Sequence, residues 1–95
     1  MYTSKEEVIV KQFSYTIKDE LGIHARPAGM LAKVAKSYTD TEITVAKGEK
    51  MVKASQVMKL MTLAAKKGEE VTVAANGPAE DEAIAAMQKF FEENL

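Results

Sequence analysis

Apolar residues recur along this chain with two spacings, and the switches between them mark its elements. Val8 and Val10, then Phe13, Tyr15 and Ile17, alternate with polar neighbours at the period of a half-buried strand. The slip near Lys11-Gln12 predicts a bulge or kink in it. Lys18-Asp19-Glu20-Leu21-Gly22 reads as a loop. From Pro27 to Lys36 the spacing turns helical, with Ala28, Leu31, Val34 and Ala35 on one stripe, Lys33 and Lys36 off it, and Tyr38 closing the end. Thr41 to Ala46 reads as a strand with Ile43 and Val45 inward, and Lys47-Gly48-Glu49 supplies the glycine of a tight hairpin into Lys50–Lys53. Ser55 is placed to cap a second helix whose inward stripe is Val57, Leu60, Met61 and Ala64, with Met58 on another side; Gly68 ends that unit. Glu69 to Ala75 alternates as a further strand, and Asn76-Gly77-Pro78 turns the chain into a last helix. Ala83, Ile84, Met87 and Phe91 form the buried stripe of that helix, Phe90 flanks it, and acidic residues suit its start. Strand, helix, strand, strand, helix, strand, helix is an α+β order, and it predicts helices covering one face of a small antiparallel sheet.

Composition narrows the class without naming a function. With 95 residues and no repeat, low-complexity tract or linker, the chain is expected to form one domain over 1–95. It holds no cysteine and one histidine, which leaves no thiolate or multi-histidine metal site and no disulfide. No apolar run reaches membrane-spanning length, and the first residues lack a signal peptide's basic start, so membrane insertion is not expected and cytoplasmic is the default location. The net charge of −1 hides an uneven distribution. Basic residues from Arg26 to Lys67 outnumber acidic ones, whereas the last helix holds Glu80, Asp81, Glu82, Glu92 and Glu93 against Lys89. A basic side around His24 with acidic residues elsewhere is expected, fitting either a solvated surface or an acidic protein partner. A sequence pI near 5.8 and few aromatics argue against nucleic acid.

The candidate chemistry lies in Gly22-Ile23-His24-Ala25-Arg26-Pro27-Ala28. Pro27 favours the first turn of a helix, where its missing N–H costs nothing, so the helix is expected to begin at His24 or Ala25. A histidine there stands beside unpaired backbone N–H groups and the positive end of the helix dipole. Arg26 adds a permanent charge and a planar donor fork suited to phosphate oxygens. Two readings fit: an ordinary cap or surface histidine, or one that holds an oxyanion or carries a covalent phosphoryl group.

Gly-Ile-His-Ala-Arg-Pro-Ala resembles the signature of the HPr family, the histidine-containing phosphocarriers of the bacterial phosphoenolpyruvate:sugar phosphotransferase system. The likeness extends over Ser14–Ile17, Glu42–Val45, Val57–Leu63 and Glu69–Gly77. It implies an open-faced β-sandwich, with four antiparallel strands in order 1-4-2-3 covered on one face by three helices. Met1 to about Ile9 then stands as an N-terminal extension. It also implies a carrier rather than a stand-alone enzyme, monomeric and free of metal and cofactor. His24 would accept a phosphoryl group on Nδ1 from enzyme I and pass it to a sugar-specific enzyme IIA. Ala25 and Arg26 amides and the Arg26 guanidinium would be the phosphate-binding donors. Matching positions imply a docking face of Gly29, Lys33 and Lys36 on the first helix and Val57, Met58, Lys59 and Met61 on the second. Methionines suit a surface serving several partners. Met58 is the better contact, since Met61 also lies on the core stripe.

Two positions depart from the family pattern. Many relatives place a short polar residue three positions before the histidine, where it can orient the ring; Leu21 stands there instead, so orientation has to come from elsewhere. In Gram-positive relatives a kinase phosphorylates a regulatory serine. Spacing from His24 points to Ser55 for this role, whereas alignment of the following helix points to Gln56, leaving Ser55 as a helix cap. Both departures keep open an alternative: a regulatory HPr-like module that engages a transcription factor or enzyme without carrying phosphate flux.

Overall fold

The computed structural model describes residues 11–95; the expected extension, and Val8 and Val10, lie outside them. The elements are β1 (Lys11–Thr16), α1 (Ala25–Lys36), β2 (Glu42–Lys47), β3 (Lys50–Lys53), α2 (Val57–Thr62), β4 (Glu70–Asn76) and α3 (Glu80–Asn94). The strands form one antiparallel sheet in the order β1-β4-β2-β3. Alternation sets the register. Val71, Val73 and Ala75 of β4 lie opposite Tyr15, Phe13 and Lys11 of β1, while Val73 and Ala75 face Val45 and Ile43 of β2. From Lys11 onward the β1 pairing is uninterrupted, so within the described residues the slip expected at Lys11-Gln12 leaves no bulge.

The inward face carries Ile43, Val45, Val71, Val73 and Ala75, all buried, and the helices cover it with Ala28, Leu31, Leu60, Leu63, Met87 and Phe91. Phe91 is the anchor of α3. Its ring meets Phe13 edge-on at 5.9 Å and Tyr15 at 5.5 Å, tying the last helix to the first strand. Phe90, expected only to flank the stripe, is itself buried, whereas Ile84 is half-buried. The other sheet face presents mostly small and polar side chains beside the exposed Met51, and the hydroxyls of Ser14 and Thr72 lie 3.3 Å apart across the strands.

The second helix departs most from expectation. Its N-cap is Gln56, not Ser55, and no side chain caps it, because a turn closed by Gln56 N–H on the Lys53 carbonyl delays the helix by one residue. It ends at Thr62, where Leu63 and Ala64 donate to carbonyls three residues back and Ala64 takes φ 53°. That tightening removes Ala64 from the inward stripe and buries Leu63 instead, while Met61 remains 37% exposed, so Met61 is not a core residue.

Candidate functional site

His24 is the N-cap of α1, in extended backbone at φ −109° and ψ −173°, and its side chain makes no capping hydrogen bond. The helix thus starts at Ala25. Ala28 is the first residue to donate within it, to the His24 carbonyl. Pro27 has no N–H, so the first-turn donors without a backbone partner among the described residues are those of His24, Ala25 and Arg26. A proline at the third helical position therefore concentrates the free donors beside the histidine.

The loop before the helix is held from three sides. Ile23 N–H donates to the Ala65 carbonyl at 3.0 Å, and Gly22 N–H to the Asp19 carbonyl at 3.0 Å. Lys18 and Asp19 N–H groups both donate to the backbone oxygen of Leu95, at 2.6 and 2.7 Å. Gly22 is required here: its φ is +68°, and a Cβ would come within 2.0 Å of the Ala65 oxygen. The segment after α2 is thus a platform for the histidine loop. Lys47 stiffens that platform, donating to the Ala64 carbonyl at 3.1 Å and pairing with Glu69 at 3.3 Å. Glu69 also accepts the Lys66 N–H at 2.8 Å. These two donors, the backbone one foremost, hold its carboxyl below the usual carboxylate range.

His24 opens onto a cleft of about 220 Å³ lined by Asp19, Arg26, Pro27, Met30, Glu93 and Asn94. Drug-sized ligands occupy clefts of about 300–1,000 Å³, so this one has room only for a small group. The His24 side chain is 38% exposed, open to a docking protein. Its Nε2 lies 3.6 Å from Asp19 Oδ2, and that same oxygen accepts the Leu21 N–H at 3.0 Å. Leu21 itself points away, 70% exposed. Two acidic side chains, Asp19 and Glu93, therefore share the cleft with Arg26, so the site is not the uniformly basic side expected from the charge distribution. Asp19, Met30, Glu93 and Asn94 were not among the residues expected at the site. A carboxylate five residues before the histidine was a readable signal for Asp19; nothing in the sequence brings the end of α3 to the start of α1.

The residues named for docking are distributed over α1 and α2, which pack against each other. Lys33, Lys36, Met58, Lys59 and Met61 are exposed, and Gly29 and Val57 half-buried. Met58, at 73%, is the most exposed large apolar side chain among the described residues. Ser55 is half-buried and lines a second cleft with Lys36 and Lys53. Among the described residues no group of acidic, histidine or cysteine side chains is placed to hold a metal ion. No helix there is long and apolar enough to cross a membrane.

The family model described as the PTS HPr component phosphorylation site matches residues 11–93. The phosphocarrier protein HPr of Mycoplasma capricolum is 40% identical over 78 residues, 82% of this chain and 86% of that protein. That of Mycoplasma genitalium is 35% identical over 85 residues, 90% of this chain and 97% of its own length. A solved structure of a mycoplasma histidine-containing phosphocarrier protein superposes with a TM-score of 0.83 at 37% identity, covering 87% of this chain and 93% of that one. With the sheet order, the three covering helices and the match over nearly the whole described chain in agreement, the protein belongs to the HPr family of the phosphotransferase system.

Proposed function

We propose that this protein is a phosphocarrier in sugar uptake, accepting a phosphoryl group on His24 from phosphorylated enzyme I and passing it to enzyme IIA domains. The observation that carries this reading is the position of His24. It caps α1 beside three unpaired N–H donors, shares a cleft with Arg26, and is open to a docking partner. In each transfer the attacking and departing atoms lie in line about the phosphorus, the histidine nitrogen attacking in the first and departing in the second. The Ala25 and Arg26 amides and the guanidinium take up charge on the equatorial oxygens. The two acidic side chains in the cleft oppose that stabilisation. A carrier benefits from such opposition, because binding phosphate equally well at every stage would trap it on the histidine. Lys33 and Lys36 on α1, with Met58 and Lys59 on α2, supply a mixed basic and apolar surface for acidic partners, in a cytoplasmic setting.

The test is a relay. Enzyme I and phosphoenolpyruvate should label this protein with phosphate, and the labelled protein, purified away from donor, should pass the label to an enzyme IIA. Label that is accepted but not handed on contradicts a carrier role. A folded protein that accepts none from its own enzyme I, yet binds a regulator stably with or without His24, supports the regulatory module instead.

A further inference from the structure

Leu21 cannot orient an imidazole, so another group has to set which ring nitrogen is the nucleophile. Asp19 is the side chain placed to do this. Its backbone N–H donates to Leu95, its carbonyl accepts Gly22 N–H, and its Oδ2 accepts Leu21 N–H at 3.0 Å. Three bonds thus fix the residue, and the same Oδ2 stands 3.6 Å from His24 Nε2. That separation is ion-pair distance, just beyond a hydrogen bond, in a cleft open enough for the ring to close it. The remaining charged groups lining the cleft are Arg26 from α1 and Glu93 from α3.

Resting on the reading of His24 as the phosphoryl acceptor, we infer that Asp19 is the positioning residue of the site: it keeps a proton on Nε2 and so commits Nδ1 to both phosphoryl transfers.

The chemistry follows from the tautomer. With hydrogen on Nε2, the lone pair lies on Nδ1, which attacks phosphorus as the bond from phosphorus to the donor's leaving atom breaks. That leaving atom takes the bonding electron pair. The product ring carries phosphoryl on Nδ1 and hydrogen on Nε2, and is cationic. The Asp19 carboxylate balances this new charge where it forms. Onward transfer then runs in the opposite sense: the Nδ1–P bond breaks as the acceptor forms its own bond to phosphorus, and the pair returns to Nδ1. Because Nε2 still holds its proton, neutral imidazole leaves. Without that proton the leaving group would be an imidazolate, a much stronger base and a poorer leaving group. One carboxylate thus serves loading and unloading alike. The cost is repulsion between Asp19 and the incoming phosphate, offset by Arg26 and the helix amides on the same cleft.

The experiment compares unmutated protein, Asp19→Ala and Asp19→Asn, with His24→Ala as the control for the underlying reading. Nitrogen-15 NMR of the unphosphorylated His24 ring reports the tautomer, and phosphorus-31 NMR after loading by enzyme I and phosphoenolpyruvate reports the nitrogen that carries phosphate. The expected result is a predominantly Nε2–H ring and Nδ1 phosphate in the unmutated protein. Asp19→Ala should give a mixture of tautomers and lower turnover about tenfold, the low end for loss of a histidine-orienting partner, with little change in KM for enzyme I. Asp19→Asn keeps an acceptor for Leu21 N–H but not the charge, so it should retain the loop and lose most of the rate. An unchanged tautomer and rate in folded Asp19→Ala overturns the role of Asp19 while leaving the carrier reading standing. Loading of His24→Ala at the unmutated rate overturns the carrier reading itself.

Discussion

Arg26 occupies the second position of α1, its side chain exposed and in no ion pair among the described residues, although Asp19 and Glu93 line the same cleft. A cation left free in this way costs nothing structurally to remove. Arg26→Ala should therefore keep the thermal midpoint within about 4 °C, since exposed substitutions fall within about 0.5 kcal/mol. The same change should slow phosphoryl acceptance by about 2.7 to 4 kcal/mol of transition-state stabilisation, the range for one oxyanion donor. Stopped-flow transfer from enzyme I reads this directly; an unmoved rate contradicts the assigned role. His24, Arg26 and the N–H donors were legible in the sequence because a helix start, a proline and a glycine fix their mutual placement locally. Asp19 lay within reach of the same local reading, as a carboxylate five residues before the histidine that an Asx-type turn folds back, but Glu93 did not, because it reaches the cleft from the far end of α3.

Among the elements, the segment from α2 to β4 does the most to hold the site in place, since the Ala65 carbonyl carries the histidine loop and Lys47 and Glu69 brace the chain on either side. Glu69 links this bracing to pH. Its folded-state acidity is strengthened, so its contribution is fully present above the unfolded carboxyl value near 4.5 and is lost as pH falls through the lower folded value. Glu69→Gln should flatten the acid limb of the thermal midpoint against pH, with its difference from the unmutated protein shrinking as pH falls below 4.5. Parallel profiles throughout would show that Glu69 contributes no pH-dependent stability. The strands were legible because alternation survives burial on one face. The α2 boundaries were not, because a six-residue helix leaves little periodicity to read, and the Lys53–Gln56 turn outweighs the serine cap that composition favours.

At the scale of the whole fold, residues 11–95 form a sheet of four strands whose inner face is closed by three helices, and Phe91 is where the last of these helices and the first of these strands are joined. Phe91 is fully buried, so Phe91→Ala should cost about 3 to 5 kcal/mol, a large share of the 5 to 15 kcal/mol typical of such a domain. Urea denaturation measures it, and a loss below about 1 kcal/mol would show that α3 is anchored elsewhere. The end of α3 also supplies Glu93 and Asn94 to the cleft, so the folded variant should transfer phosphate more slowly as well. Periodicity alone yields helices on one face of a sheet; the order β1-β4-β2-β3 depends on nonlocal pairing and was implied only by family resemblance.

The central claim is that His24 carries the phosphoryl group. It is tested most directly by incubating unmutated and His24→Ala proteins with enzyme I and isotopically labelled phosphoenolpyruvate, then measuring bound label before and after mild acid. Label is expected on the unmutated protein, lost in acid as a phosphoramidate should be, and none on the folded variant. Acid-stable label, or equal labelling of both proteins, would contradict it.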